Sequence, residues 1–139
     1  MLLAVVTVGL LGGCSYGLKP ASSTLPPAFT VYLKESNMTF TAEVPGSGVM
    51  SAEQVVAAVQ NTSGADRLAG LEAVPVFGVL RCIEDGSCHP GPGALGVNER
   101  SVWVLFYPDL EDLARTRTGG WIIIDGLTGL ESGFQIRTP

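Results

Sequence analysis

Apolar and polar positions alternate with a period of two over residues 38–44 (MTFTAEV). Met38, Phe40 and Ala42 fall on one side, Thr39, Thr41 and Glu43 on the other. That spacing predicts a strand with one buried face. Residues 29–34 (FTVYLK) are rich in β-branched and aromatic side chains and read as a preceding strand, with Glu35, Ser36 and Asn37 as the hairpin loop. Pro45-Gly46-Ser47-Gly48 then breaks the sheet. Ser51 followed by Gln54 has the spacing of a capping box. It predicts a helix over residues 52–60, with Val55, Val56 and Val59 on its apolar side and a stop at 61–64. A further helical turn is expected over 66–71.

Beyond that point the pattern is that of a sheet. Residues 73–83, 101–107, 121–125 and 133–137 are the candidate strands, and the runs VWVLFY and WIII are apolar on both sides. Such runs suit central strands covered on two faces. Trp103, Leu105 and Tyr107 share one face, and Trp121, Ile123 and Asp125 share one face; whether the two coincide depends on register. Asp125-Gly126-Leu127-Thr128-Gly129 is a turn, since Asp can bond its own downstream backbone and Gly can take positive φ. The chain is therefore expected to be α+β: an antiparallel sheet of four to six strands with one main helix packed on it. One short helix covers only part of one face, which leaves the N-terminal hairpin, long loops or a partner to cover the rest. There is no internal repeat.

Residues 1–13 (MLLAVVTVGLLGG) carry no charge and end at Cys14, after which the sequence turns polar and Pro-rich. The run is shorter than the about 20 residues needed to span a bilayer core and has the length of a secretory apolar region. Leu11-Gly12-Gly13-Cys14 resembles the lipobox of bacterial lipoproteins. The resemblance implies that residues 1–13 are a removed signal peptide and that Cys14, carrying a diacylglyceryl group on sulfur, becomes the mature N-terminus. Acylation of the new amine would complete a stable anchor, because one chain alone gives only marginal membrane residence. The competing reading is a buried N-terminal strand that ends in an ordinary Cys. Residues 14–28, dominated by Pro and Ser, read as a lipidated Cys and flexible tether, and residues 29–139 as a single domain.

The capped helix, the following strands and the segment WIIIDGLTG before a last strand resemble the PepSY-type module of secreted bacterial proteins, over residues 50–137. That resemblance implies a helix packed on an antiparallel sheet and a non-catalytic role, binding or restraining an extracellular partner.

Composition narrows the partners. Eight Lys and Arg against thirteen Asp and Glu give a net charge of −5. A chain without a basic cluster is a poor nucleic-acid binder, which depends on neutralising phosphates, and a poor peripheral binder of anionic headgroups. The lipid on Cys14 would hold it at the cell membrane or outer membrane, with the domain outside the cytoplasm facing an envelope protein or cell-wall partner.

Three cysteines are present. Cys82 and Cys88 flank IEDGS, whose Asp85-Gly86 favours a tight turn. With Cys14 lipidated, the remaining pair is expected to form a disulfide in an oxidising compartment. Closing so short a loop stabilises by about 2–2.5 kcal/mol in the chain-entropy model. The alternative is a metal-binding or enzymatic centre on Cys82, Cys88 and His89, three ligands that with water would make an open zinc site. No fourth ligand is evident, and His89 is the chain's single His. Gly91, Gly93 and Gly96 formally match a dinucleotide fingerprint, but the required strand before and helix after are missing. Asp109, Glu111 and Asp112 lack calcium-loop periodicity; Asp109 instead reads as the cap of a helical turn. No Gly-x-Ser-x-Gly elbow exists. Glu84 and Asp85, if extended, point to opposite faces. No catalytic residue, metal or cofactor is expected. Trp103, Tyr107 and Trp121 are the candidate partner-binding residues if exposed together, and core otherwise. The reading is a cell-envelope lipoprotein with a small non-catalytic binding or regulatory domain; a structural envelope component is a further alternative.

Overall fold

The computed structural model describes residues 25–60, 65–83, 99–111, 118–129 and 131–136. Five strands, β1 (Met38–Ala42), β2 (Val74–Cys82), β3 (Glu99–Glu111), β4 (Thr118–Asp125) and β5 (Glu131–Ile136), are joined by helices α1 (Pro27–Glu35), α2 (Ala52–Gln60) and α3 (Ala65–Leu68). The strands lie side by side in chain order, every neighbouring pair antiparallel. The α+β class and the antiparallel sheet agree with the sequence pattern.

Register sorts the apolar runs into two faces. Trp103 opposes Phe77 and Ile124, and Leu105 opposes Ile122. This face packs with Val55, Val56 and Val59 of α2 and Leu68 of α3. Val104 opposes Val76 and Ile123, and Phe106 opposes Trp121, on the other face. That side packs with Phe29, Tyr32 and Leu33 of α1. The expected single main helix is thus replaced by helices on both faces, and this is what covers the doubly apolar strands.

The second cover comes from a segment expected to be a strand. Residues 29–34 are helical. Their β-branched content is overridden because Phe29, Tyr32 and Leu33 recur at the i, i+3, i+4 spacing of a helical stripe. Pro27 stands in the first turn, where a missing N–H costs nothing. The Pro26 carbonyl accepts the amides of Phe29 and Thr30 at 3.0 and 3.2 Å. Phe29 then meets Phe106 at 5.1 Å and Trp121 at 5.4 Å between ring centroids, both edge-on, an arrangement favoured by the ring quadrupoles. The helix begins inside the span expected as tether, and Leu25 and Ala28 pack against the same cluster. Only Ser36 and Asn37 link α1 to β1, since Glu35 is the last residue of the helix; Asn37 sits at φ 53°, a conformation Asn tolerates better than most residues.

The capping box forms as expected. Gln54 N–H donates to Ser51 Oγ at 3.2 Å, and Ser51 N–H donates to Gln54 Oε1 at 2.7 Å. β1 approaches β2 closely at Gly78, where a Cβ would collide with the Thr41 carbonyl and the Phe40 ring. β3 runs on past Tyr107 through Pro108 to Glu111, so Asp109 lies on an extended strand and not at a helix cap. A register shift between Tyr107 and Glu111 accommodates Pro108, which has no amide to give the ladder. The shift keeps Leu110 buried with Tyr107 in the cluster beneath α2.

Candidate functional site at the Asp125 turn

Asp125 ends β4 and is the buried charged residue of the described chain, with 4% of its surface exposed. Its Oδ1 accepts the Leu127 amide at 3.0 Å, the Thr128 amide at 2.7 Å and the Thr128 hydroxyl at 2.9 Å. Gly129, at φ +70°, closes the turn by donating its amide to the Asp125 carbonyl at 3.0 Å. This is the self-bonded Asp turn that the sequence pattern predicts.

The other carboxylate oxygen faces a cation contributed by β3. Oδ2 lies 3.0 Å from Arg100 Nε. Register explains the meeting: Val102 opposes Asp125, so Arg100, two residues earlier, occupies the diagonal position on the same face. Burial pushes the Asp125 carboxyl up, but the Thr128 amide and hydroxyl, the Leu127 amide and the Arg100 charge outweigh it, and the net displacement is downward. Asp125 is therefore held ionised with both oxygens occupied. It orients Arg100 and the turn; it is poorly disposed to exchange protons.

Glu99, Arg100, Ser101, Asp125, Leu127 and Thr128 line an open groove of about 320 Å³. Arg81 on β2 pairs with Glu99 in a solvent-exposed ion pair, which contributes little to stability. The groove is stitched to the rest of the fold by backbone bonds. Gly126 N–H donates to the Ser101 carbonyl at 3.0 Å, and Met50 N–H donates to the Gly126 carbonyl at 2.9 Å. Just beyond Met50 begins α2. The Arg100 side chain is partly open to solvent, so its remaining guanidinium N–H groups, Ser101 and the exposed Leu127 offer polar and apolar recognition at one end of the sheet.

The residues singled out from sequence are distributed differently. Trp103, Tyr107 and Trp121 are all buried, and Trp121 faces away from the other two. They build the two cores and do not form a partner-binding patch. The physical reason is the register, which places Ile122 and Ile124, not Trp121, beside Trp103 and Leu105. Cys82 is disulfide-bonded; a sulfur so committed is not the thiolate that zinc requires. Cys14, Cys88, His89, the Glu84-Asp85 pair, the glycines at 91, 93 and 96, and Asp112 lie outside the described residues. Among the described residues, no group of three His, Cys, Asp or Glu side chains is placed to hold a metal ion, and no helix is long and apolar enough to cross a membrane. Sequence reasoning placed Thr128 in the turn without giving it a role, and missed Arg100. The Asp–x–x–Thr spacing signals Thr128, whereas Arg100 enters only through pairing of strands. The chain matches no protein-family model, no curated protein and no solved structure.

Proposed function

We propose that this chain is a cell-envelope lipoprotein whose domain binds a protein or envelope component without catalysing a reaction. Cys14 carries the lipid, the Pro- and Ser-rich segment after it is the spacer, and the sheet with its two helical covers is the presented domain. The disulfide at Cys82 is the observation that carries this reading, because such bonds persist in oxidising compartments and are rare in the cytosol. With Cys14 acylated, Cys88 is the sulfur left to pair with it. The lipobox and the loose likeness to the PepSY-type module support the same assignment. The groove beside Arg100 is the favoured contact end, because it combines an oriented cation, hydroxyl groups and an exposed Leu127.

Metabolic labelling with a clickable fatty acid, followed by fractionation, tests it. The expected result is a labelled membrane-bound protein that begins at Cys14, a Cys14→Ser variant without label, and a Cys82–Cys88 pair that reacts with alkylating reagent only after reduction. An unlabelled soluble protein retaining residues 1–13, with free thiols, would overturn the reading.

A further inference from the structure

We propose that β1 is a self-pairing edge, through which two copies of this chain join antiparallel into one continuous ten-stranded sheet. The inference stands apart from the lipid anchor and starts from hydrogen-bond parity. Glu43 N–H donates to the Phe77 carbonyl at 2.9 Å, and Ile83 N–H donates to the Asn37 carbonyl at 2.8 Å. Within the β1–β2 register, these bonds make Asn37, Thr39, Thr41 and Glu43 the residues whose backbone groups point at β2. The N–H and C=O groups of Met38, Phe40 and Ala42 therefore point outward. β1 stands at the edge of the sheet, so among the described residues these groups have no strand to receive them.

Edges are ordinarily blunted by Lys, Pro, an inward charge or a bulge. β1 (MTFTA) has none of these, and its pairing with β2 is regular throughout. At the opposite edge the β4–β5 ladder is interrupted by a register shift between Ile123 and Ile124. The unguarded edge is also self-complementary. A two-fold axis at Phe40 sets Met38 against Ala42 of the second copy and Thr39 against its Thr41, so the outward donors and acceptors meet in register. Thr–Thr pairs across strands are favourable, and Glu43 falls opposite Asn37, so no like charges face each other. α1 packs over one face of the sheet, where Phe29 meets Phe40 at 5.9 Å as well as Phe106 and Trp121.

Sedimentation equilibrium and amide exchange on the full chain in nonionic detergent test this together. The expected result is a reversible dimer. Its Met38, Phe40 and Ala42 amides are protected when concentrated and exchange freely on dilution, while Thr39 and Thr41 stay protected throughout. T39K/T41K sets like charges opposite one another and should weaken association about tenfold or more. Both side chains are exposed, so β1–β2 protection should be unchanged. A42P removes one outward donor without touching β2 and should weaken association as well. A monomer at every concentration, outward amides protected independently of dilution, or a dimer indifferent to T39K/T41K would each overturn the proposal.

Discussion

Trp103 and Trp121 occupy adjacent strands but face opposite sides of the sheet. The Trp103 indole N–H donates to the Met50 carbonyl at 2.9 Å, whereas the Trp121 indole N–H is buried and finds no hydrogen-bond partner among the described residues. One tryptophan fastens the segment leading into α2 to the sheet; the other lies under α1 among Phe29, Tyr32 and Phe106 as an aromatic filler.

Phe substitutions should separate these roles. Trp103→Phe loses a bond and strands the Met50 carbonyl, a cost of about 1–3 kcal/mol in addition to lost packing. Trp121→Phe loses packing but also removes an unsatisfied donor, whose burial costs a similar amount. Urea denaturation of the two variants should show Trp103→Phe as clearly the more destabilised. Equal losses would refute the distinction.

Asp125 links the turn to acid stability. Its folded carboxyl titrates below the ordinary value, so its contribution is present above the unfolded pKa and is lost as pH falls through the folded one. Asp125→Asn should cost about 1–3 kcal/mol at neutral pH, because Arg100 loses its counter-charge. As pH falls through the lowered folded value the deficit should shrink, since the wild-type carboxyl then itself takes up a proton. Denaturation curves across that pH range check the convergence.

Tyr107 provides the opposite sign at the alkaline end. Burial pushes its phenol up to about 12. The neutral form is favoured by folding, so this contribution is complete below the unfolded value near 10 and is lost as pH rises from there towards 12. It amounts to about 2–3 kcal/mol from a displacement of that size. Tyr107→Phe should flatten the stability loss between those limits, and should reduce the phenolate absorbance that appears on alkaline unfolding.

Gly78 allows the closest approach of β1 to its neighbour. Gly78→Ala forces the Phe40 ring and the Thr41 carbonyl aside, an overpacking cost of about 1–3 kcal/mol. Gly46→Ala, where an added methyl meets nothing within 4 Å, should be neutral or slightly stabilising. A thermal melt comparing the two serves as its own control.

Local signals were legible in the sequence and long-range ones were not. Ser51 and Gln54 are three residues apart, so their reciprocal cap follows from sequence spacing alone. The alternation in 38–44 and the apolar runs around Trp103 and Trp121 likewise report burial directly. Residues 29–34 satisfy two patterns at once: β-branched composition, and the Phe29, Tyr32, Leu33 helical stripe. What decides between them is Phe106 and Trp121, far along the chain. The same holds for the groove. Asp125 and its turn are local, but Arg100 reaches it only because β3 and β4 pair with Val102 opposite Asp125. A one-residue slip would have sent Arg100 to the other side.

The three helices among the described residues all precede β2, yet the strand faces they cover are completed only by β3 and β4. A polypeptide emerging amino end first must therefore carry two greasy stripes without their sheet until residue 125 arrives. Neither stripe has its full complement of strand partners until both β3 and β4 have been delivered.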